Sequence, residues 1–322
     1  MKAIRMHGFG GPEVLRLDEI DVPEPDAGEV LVQVAVASVT YGDIMKRSGA
    51  FGDQLPLPAG LGLEVAGTVA ALGPGLTTPP VGTPVLAWVD SGYAEYALAP
   101  AAAVVALPDG VDLRSAAVLP VKGTTAYQTL RRAGGLQAGE SVLVHAAAGG
   151  VGSLALQIAR LLGAETVIGT ASSSAKLDHI RELGAIAVDY TTDDWPQRVL
   201  EASGGRGVDL VLDSVGGSVA RRTFDCLAPF GRMVSFGAAG GTPVEVNAMS
   251  LITRNQSVTG YSLIGPLQRP EPVSTDIKEL LDHLGAARLH VTIANALPLA
   301  EAAEAHRAIS DRRTIGSTLL LP

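Results

Sequence analysis

The chain has 322 residues, is 47% hydrophobic and carries a formal charge of −9, so it can build two domains with sizeable cores and does not read as disordered. It shows no lysine/arginine block, which argues against nucleic acid or an anionic membrane surface as its main partner. The opening MKAIRMHGFGGPEVL lacks the apolar core of a signal peptide, and no apolar run approaches a membrane span, so a soluble cytosolic protein is expected.

In chain order, KAIRMHG, VLRLDEIDVPEP, EVLVQVAVASVTYGD, GLEVAGTVAALGPG and SGYAEYALAP come first. These short β-branched runs between Gly/Pro turns predict a largely antiparallel β domain. From about Val121 strands alternate with helices. SVLVHA is apolar on both faces, as a parallel strand covered by helices should be, and is read as ending at Ala146. The following helix places Val151, Leu154, Ala155, Ile158 and Leu162 on one stripe, with Gly163 as its stop. Then come TVIGT as strand, SSSAKLDHIRELG as a helix ending at Gly184, IAVDY as strand and DDWPQRVLEAS as helix, with GVDLVLDSVG and GRMVSFG as strands. This alternation is the signature of an α/β fold with a doubly wound parallel sheet. After SVTGYSL the pattern breaks. Helices TDIKELLDHLG and LAEAAEAHRAIS and a last strand, GSTLLLP, are expected to rejoin the first domain.

Cys226 is the single cysteine, so neither an intrachain disulfide nor a cysteine-based zinc cage can form. It lies in RRTFDCLAPFG, is placed on a helix, and is expected to be a core thiol rather than a nucleophile.

A strand followed by Gly149, Gly150 and Gly152 at the start of a helix is the context of a dinucleotide site. Helix-initial N–H groups and the positive end of the helix dipole favour a pyrophosphate. The spelling AAAGGVG departs from the strict G-x-G-x-x-G spacing, so the strand–helix–strand setting carries the inference. An NAD-selective site puts an acid about 20 residues on, at the end of the second strand. Here that strand ends at Thr170 and Ala171. Glu165 precedes it and Asp178 falls in the next helix, while Ser172, Ser173, Ser174 and Lys176 stand where the acid would be. Hydroxyls and an ammonium accept a 2′-phosphate that a carboxylate would repel, so NADPH is expected over NADH. The serines also cap the following helix.

The chain resembles the zinc-independent quinone oxidoreductases, the zeta-crystallin-like branch of the medium-chain dehydrogenase/reductases. The resemblance runs from GGPEVLRL through SVTYGDIMKRSG, GLEVAG, GYAEY, LPDGV, LPVKGTTAYQTL, HAAAGGVGSLALQIARLLGA, VDLVLDSVGG and GRMVSFG to GSTLLLP. It implies a GroES-like catalytic domain (1–121, with a return over 263–322) split by a Rossmann domain (122–262), and NADPH in the cleft between them. It also implies a homodimer formed by edge pairing of the Rossmann sheets near SVTGYSL. By position, Gly149, Gly150, Val151 and Gly152 would lie at the pyrophosphate, with Ser172 and Lys176 at the 2′-phosphate. Tyr190 and Arg312 match positions at the adenosine-phosphate end. Ser214, Phe236 and Gly237 would border the ribose and nicotinamide, with Lys122 and Thr125 on the nicotinamide side.

Zinc-using relatives place Gly-His-Glu where this chain has GLGLEVAG. Leu63 stands at the histidine position before Glu64, and His7, His145, His179, His283, His290 and His306 show no paired spacing, so no metal is expected. Chemistry without a Lewis acid suits quinones and conjugated enones, which accept hydride into an extended π system. Relatives carry an asparagine and a tyrosine where this chain has Thr40 and Met45, leaving Tyr41 and Asp43 as the polar candidates of that loop. Asp43 reads equally as a helix N-cap. Three functional readings follow: an NADPH-dependent quinone reductase, an enoyl or 2-enal reductase, and a non-catalytic NADPH-binding protein.

Overall fold

The computed structural model describes residues 1–50, 52, 55–267 and 270–322, and the chain divides into two units, Met1–Thr124 with Pro266–Pro322, and Thr125–Gly265. The first unit begins with strands β1 (Lys2–Met6), β2 (Leu15–Glu19), β3 (Glu29–Val39), β4 (Ala59–Gly60), β5 (Glu64–Leu72), β6 (Pro84–Trp88), β7 (Tyr96–Pro100) and β8 (Val104–Ala106). β3 is their centre, pairing antiparallel with both β5 and β7. Gly67 on β5 permits this approach, because a Cβ there would sit 2.0 Å from the Gln33 carbonyl oxygen. Val30, Val32, Leu61, Val65 and Val85 form the buried centre of this sheet, each stabilising it by roughly 1.5–3 kcal/mol. The helix Tyr41–Ser48 follows β3 directly.

The second unit carries β9 (Ser141–Val144), β10 (Thr166–Ala171), β11 (Ile186–Asp189), β12 (Val208–Asp213), β13 (Leu227–Ser235) and β14 (Ser257–Gly260). They lie in the order β11-β10-β9-β12-β13-β14, every pair parallel. This is the doubly wound sheet expected from the alternation. Every residue of β9 and β12 is buried, as a sheet covered on both faces requires. β9 stops at Val144 rather than at the expected Ala146, whose φ of 50° takes the chain out of the strand.

Cys226 is not on a helix. The Gly217–Thr223 helix ends before it, and Cys226 occupies the turn into β13. It is a buried core thiol, its Sγ 3.3 Å from the Thr223 carbonyl, and burial pushes its pKa up to about 12.

The chain then returns to the first unit with β15 (Ile293–Pro298) and β16 (Ser317–Leu321). β16 pairs antiparallel with β3, Thr318 opposite Val39. The C-terminal strand thus completes the sheet begun by the N-terminal ones. Among the described residues no helix is long and apolar enough to cross a membrane.

Candidate active site

In the second unit the carboxyl ends of the parallel strands collect most of the residues singled out for a cofactor. After β9 the chain makes a tight turn, with Gly149 N donating to Ala146 O at 3.0 Å and Ala147 N to Thr170 O at 3.1 Å. Gly149 is the N-cap of the Gly150–Leu161 helix, whose first N–H groups have no partner within the helix. Gly152 is required by packing, since a Cβ there would lie 2.4 Å from Ala146 O and 2.6 Å from the Ala147 Cα. The helix start is therefore pressed against the turn that precedes it. β12 stands on the far side of β9 from β10, so this turn sits at the switch point where such sheets bind ligands.

The neighbouring strand ends supply the rest. β10 ends at Ala171, followed by Ser172 and Ser173, and no carboxylate stands there. Ser173 occupies the N-cap position of the Ser174–Glu182 helix, yet its hydroxyl makes no capping bond. Lys176, half-buried, lies in the first turn of that helix. Tyr190 donates its N–H to Ala171 O at 3.2 Å, which places it beside the end of β10. Asp189, in register with Ala171, is held by the N–H and hydroxyl of Thr191. Ser214 follows β12 and Phe236 follows β13, with Phe236 N on Asp213 O at 2.9 Å. A Cβ on Gly237 would lie 3.1 Å from Ser214 O. The structure thus brings Gly149, Gly150, Val151, Gly152, Ser172, Lys176, Tyr190, Ser214, Phe236 and Gly237 to one edge of one sheet. Arg312 belongs to the first unit, in a left-handed turn (φ 57°) after the Ala302–Ser310 helix.

The first unit holds a different cluster. Lys122, 6% exposed, pairs with Glu64, which is fully buried, Nζ to Oε1 at 2.7 Å. The same ammonium donates to Ser38 Oγ. Glu64 Oε2 accepts the backbone N–H groups of Val121 at 2.8 Å and Lys122 at 3.2 Å. Burial raises the Glu64 carboxyl above its ordinary range, and the Lys122 charge and these donors oppose the rise. Thr125, buried, opens the second unit, its carbonyl accepting from Thr129 Oγ1 at 2.7 Å.

Asp43 is not the N-cap of its helix. Thr40 is, and Asp43 closes a reciprocal capping box with it. Its carboxylate is fully buried: Oδ2 accepts from Thr40 N (2.8 Å), Thr40 Oγ1 (2.7 Å) and Tyr93 OH (3.1 Å), and Oδ1 from Gly62 N (3.0 Å). Tyr93 OH also meets His306 Nε2 at 3.2 Å, and His306 Nδ1 meets Arg47 at 3.3 Å. Because arginine only donates, His306 Nδ1 is the acceptor and Nε2 carries the proton, donating to Tyr93, which donates to Asp43. Tyr41 begins the helix and is 40% exposed. Ser38, Arg47, Tyr93 and His306 were not anticipated from the sequence.

Two buried histidines give the fold an acid-sensitive limb. Burial lowers His145 to about 4, opposed by Asp213, and lowers His306 to about 3, with Arg47 adding to the fall. His145 is held by the hydroxyls of Thr170 (2.9 Å) and Thr223 (2.8 Å) and stands edge-on to Trp195. Both folded-state pKa values lie below the unfolded value, so the unfolded chain takes up the proton first as pH falls. The stabilisation is complete above about pH 6.5 and is lost as pH drops toward 4 and then 3. For His145 that loss amounts to about 3 kcal/mol. The melting temperature is expected to fall steadily from pH 6.5 to 4.5, and more shallowly in His145→Gln. Identical slopes in the two proteins would contradict this origin.

The zinc-binding dehydrogenase family model matches residues 150–286, and the alcohol dehydrogenase GroES-like domain model matches residues 26–109. A quinone oxidoreductase of Pseudomonas aeruginosa is 38% identical over 326 aligned residues, covering 100% of this chain and 99% of that protein. A 2-haloacrylate reductase of a Burkholderia species is 35% identical over 329 aligned residues, with 98% of each chain covered. The crystal structure of Escherichia coli quinone oxidoreductase complexed with NADPH superposes with a TM-score of 0.94 at 34% identity, covering 100% of both chains. The chain belongs to the quinone oxidoreductase family of the medium-chain dehydrogenase/reductases, with a GroES-like domain and a Rossmann sheet, and it is an oxidoreductase.

Proposed function

We propose that the chain is an NADPH-dependent quinone reductase that works without a metal. The observation that carries the cofactor choice is the end of β10, where Ser172 and Lys176, with Tyr190 beside them, replace the acid of an NAD site. Gly149–Gly152 hold the pyrophosphate at the start of the Gly150–Leu161 helix, and Ser214, Phe236 and Gly237 flank the nicotinamide half. Arg312 serves the adenosine-phosphate end. Bound there, NADPH supplies a hydride.

The acceptor side falls to Tyr41, Lys122 and Thr125. Asp43 contributes by fixing Thr40 and Gly62, since both its oxygens are already engaged. Metal independence is supported by Leu63 at the histidine position and by Glu64 being gripped by Lys122. Among the described residues no three His, Cys, Asp or Glu side chains gather as a metal site. We assign 1–121 and 263–322 to the catalytic domain and 122–262 to the cofactor domain. A homodimer paired through β14, an edge strand of its sheet, and a cytoplasmic location complete the reading.

A second reading, reduction of a conjugated C=C bond, is favoured by the likeness to the 2-haloacrylate reductase. Turnover of a simple quinone and of a 2-enal at saturating NADPH separates them. Quinone turnover at least about tenfold faster, roughly 1.4 kcal/mol in the barrier, is the expected result. Faster enal turnover would replace the proposal with the second reading, and tight NADPH binding with neither turnover would leave a binding protein.

A further inference from the structure

We infer that Glu64 and Ser38 are positioning residues, holding the Lys122 ammonium so that one of its N–H donors is kept for an oxygen of the bound acceptor. The inference rests on the reductase reading above and extends it.

A lysine ammonium has three donors. Glu64 Oε1 takes one at 2.7 Å and Ser38 Oγ another. Glu64 also binds the N–H groups of Val121 and Lys122, so a single carboxylate grips this lysine by its backbone and by its tip. The segment it grips, Leu119–Gly123, is a π-helical turn in which Gly123 N donates to Val118 O at 3.1 Å. Such turns are rare and recur at functional sites. Two other buried polar groups of the first unit, Asp43 and Tyr93, are already engaged with each other. Asp43 is filled with donors, and the Tyr93 hydroxyl donates to it. When a hydride adds to the conjugated carbon of a quinone or enone, the carbonyl π pair moves to oxygen. A fixed N–H facing that oxygen stabilises the developing charge, and solvent then supplies the proton.

The test is a set of five variants, E64Q, E64D, S38A, K122M and E64Q/K122M, assayed with a quinone and a 2-enal. E64Q and K122M are each expected to lower kcat about 30-fold, with KM for NADPH changed less than about twofold. The double variant is expected to be no slower than K122M, because Glu64 acts through Lys122. E64D should recover part of the loss, and S38A should cost about threefold. A readout independent of turnover comes from melting temperatures. Each single charge removal strands its partner and lowers the melting temperature, and the double variant regains most of the loss. Multiplicative losses in the double variant, or losses confined to KM for NADPH, would overturn the inference. Wild-type protein that turns over neither acceptor would sink the reductase reading and this role with it.

Discussion

Gly152→Val is expected to abolish useful NADPH binding and to cost about 3 kcal/mol of stability. The first added carbon alone would sit 2.4 Å from Ala146 O and 2.6 Å from the Ala147 Cα, and both are backbone atoms that cannot rotate away. Relief requires the Gly150–Leu161 helix to lift off the turn after β9. That moves its N–H groups away from any phosphate they hold, and the helix dipole acts only over its first turn. The affinity for NADPH, read by quenching of protein fluorescence, should fall at least about 100-fold, equivalent to some 2.7 kcal/mol. Gly149→Ala provides the contrast. Its Cβ would meet Ala146 O at 3.3 Å, a distance that a small shift relieves, so a loss under about tenfold is expected. Equal effects at the two positions would refute the packing argument.

Ser172→Asp combined with Lys176→Ala is expected to reverse the preference between the two nicotinamide cofactors. Removing an ammonium and adding a carboxylate at the end of β10 takes away charge-assisted bonds worth about 1.5–3 kcal/mol each and introduces repulsion. NADPH should lose about 100- to 1000-fold in kcat/KM. NADH should hold or gain, because the new carboxylate accepts from the ribose hydroxyls. The half-buried position of Ser172 and the closeness of Tyr190 to Ala171 keep the change local. Parallel losses for both cofactors would show that these residues support the strand end and not the phosphate.

The second unit was legible from the sequence to a large degree, because its signals are local. β9 is buried on both faces and reads as an apolar run, whereas β12 is equally buried but carries Asp209 and Asp213 in VDLVLD. The Gly150–Leu161 helix buries Leu154, Ala155 and Ile158 of its expected stripe, leaves Val151 and Leu162 half-buried, and stops before Gly163. Cys226 was misplaced because DCLAPFG carries no periodicity that separates a helix end from a turn. The polar clusters of the first unit were hidden for a different reason. Glu64 and Lys122 are 58 residues apart and Tyr93 and His306 are 213 apart, and nothing in sequence spacing reports such meetings. One signal was present and misread. Thr40-Tyr41-Gly42-Asp43 has the spacing of a capping box, which assigns the cap to Thr40 and the third helical position to Asp43.

The proposed reaction is hydride transfer from NADPH to a quinone. It is tested most directly by mixing the purified protein with a simple quinone and following nicotinamide absorbance with NADPH, and separately with NADH at the same concentration. Quinone-dependent oxidation of NADPH is expected to run at least about tenfold faster than that of NADH, the ratio given by one charge-assisted contact at the 2′-phosphate. NADH oxidised as fast as NADPH, or no quinone-dependent oxidation of either, would contradict it.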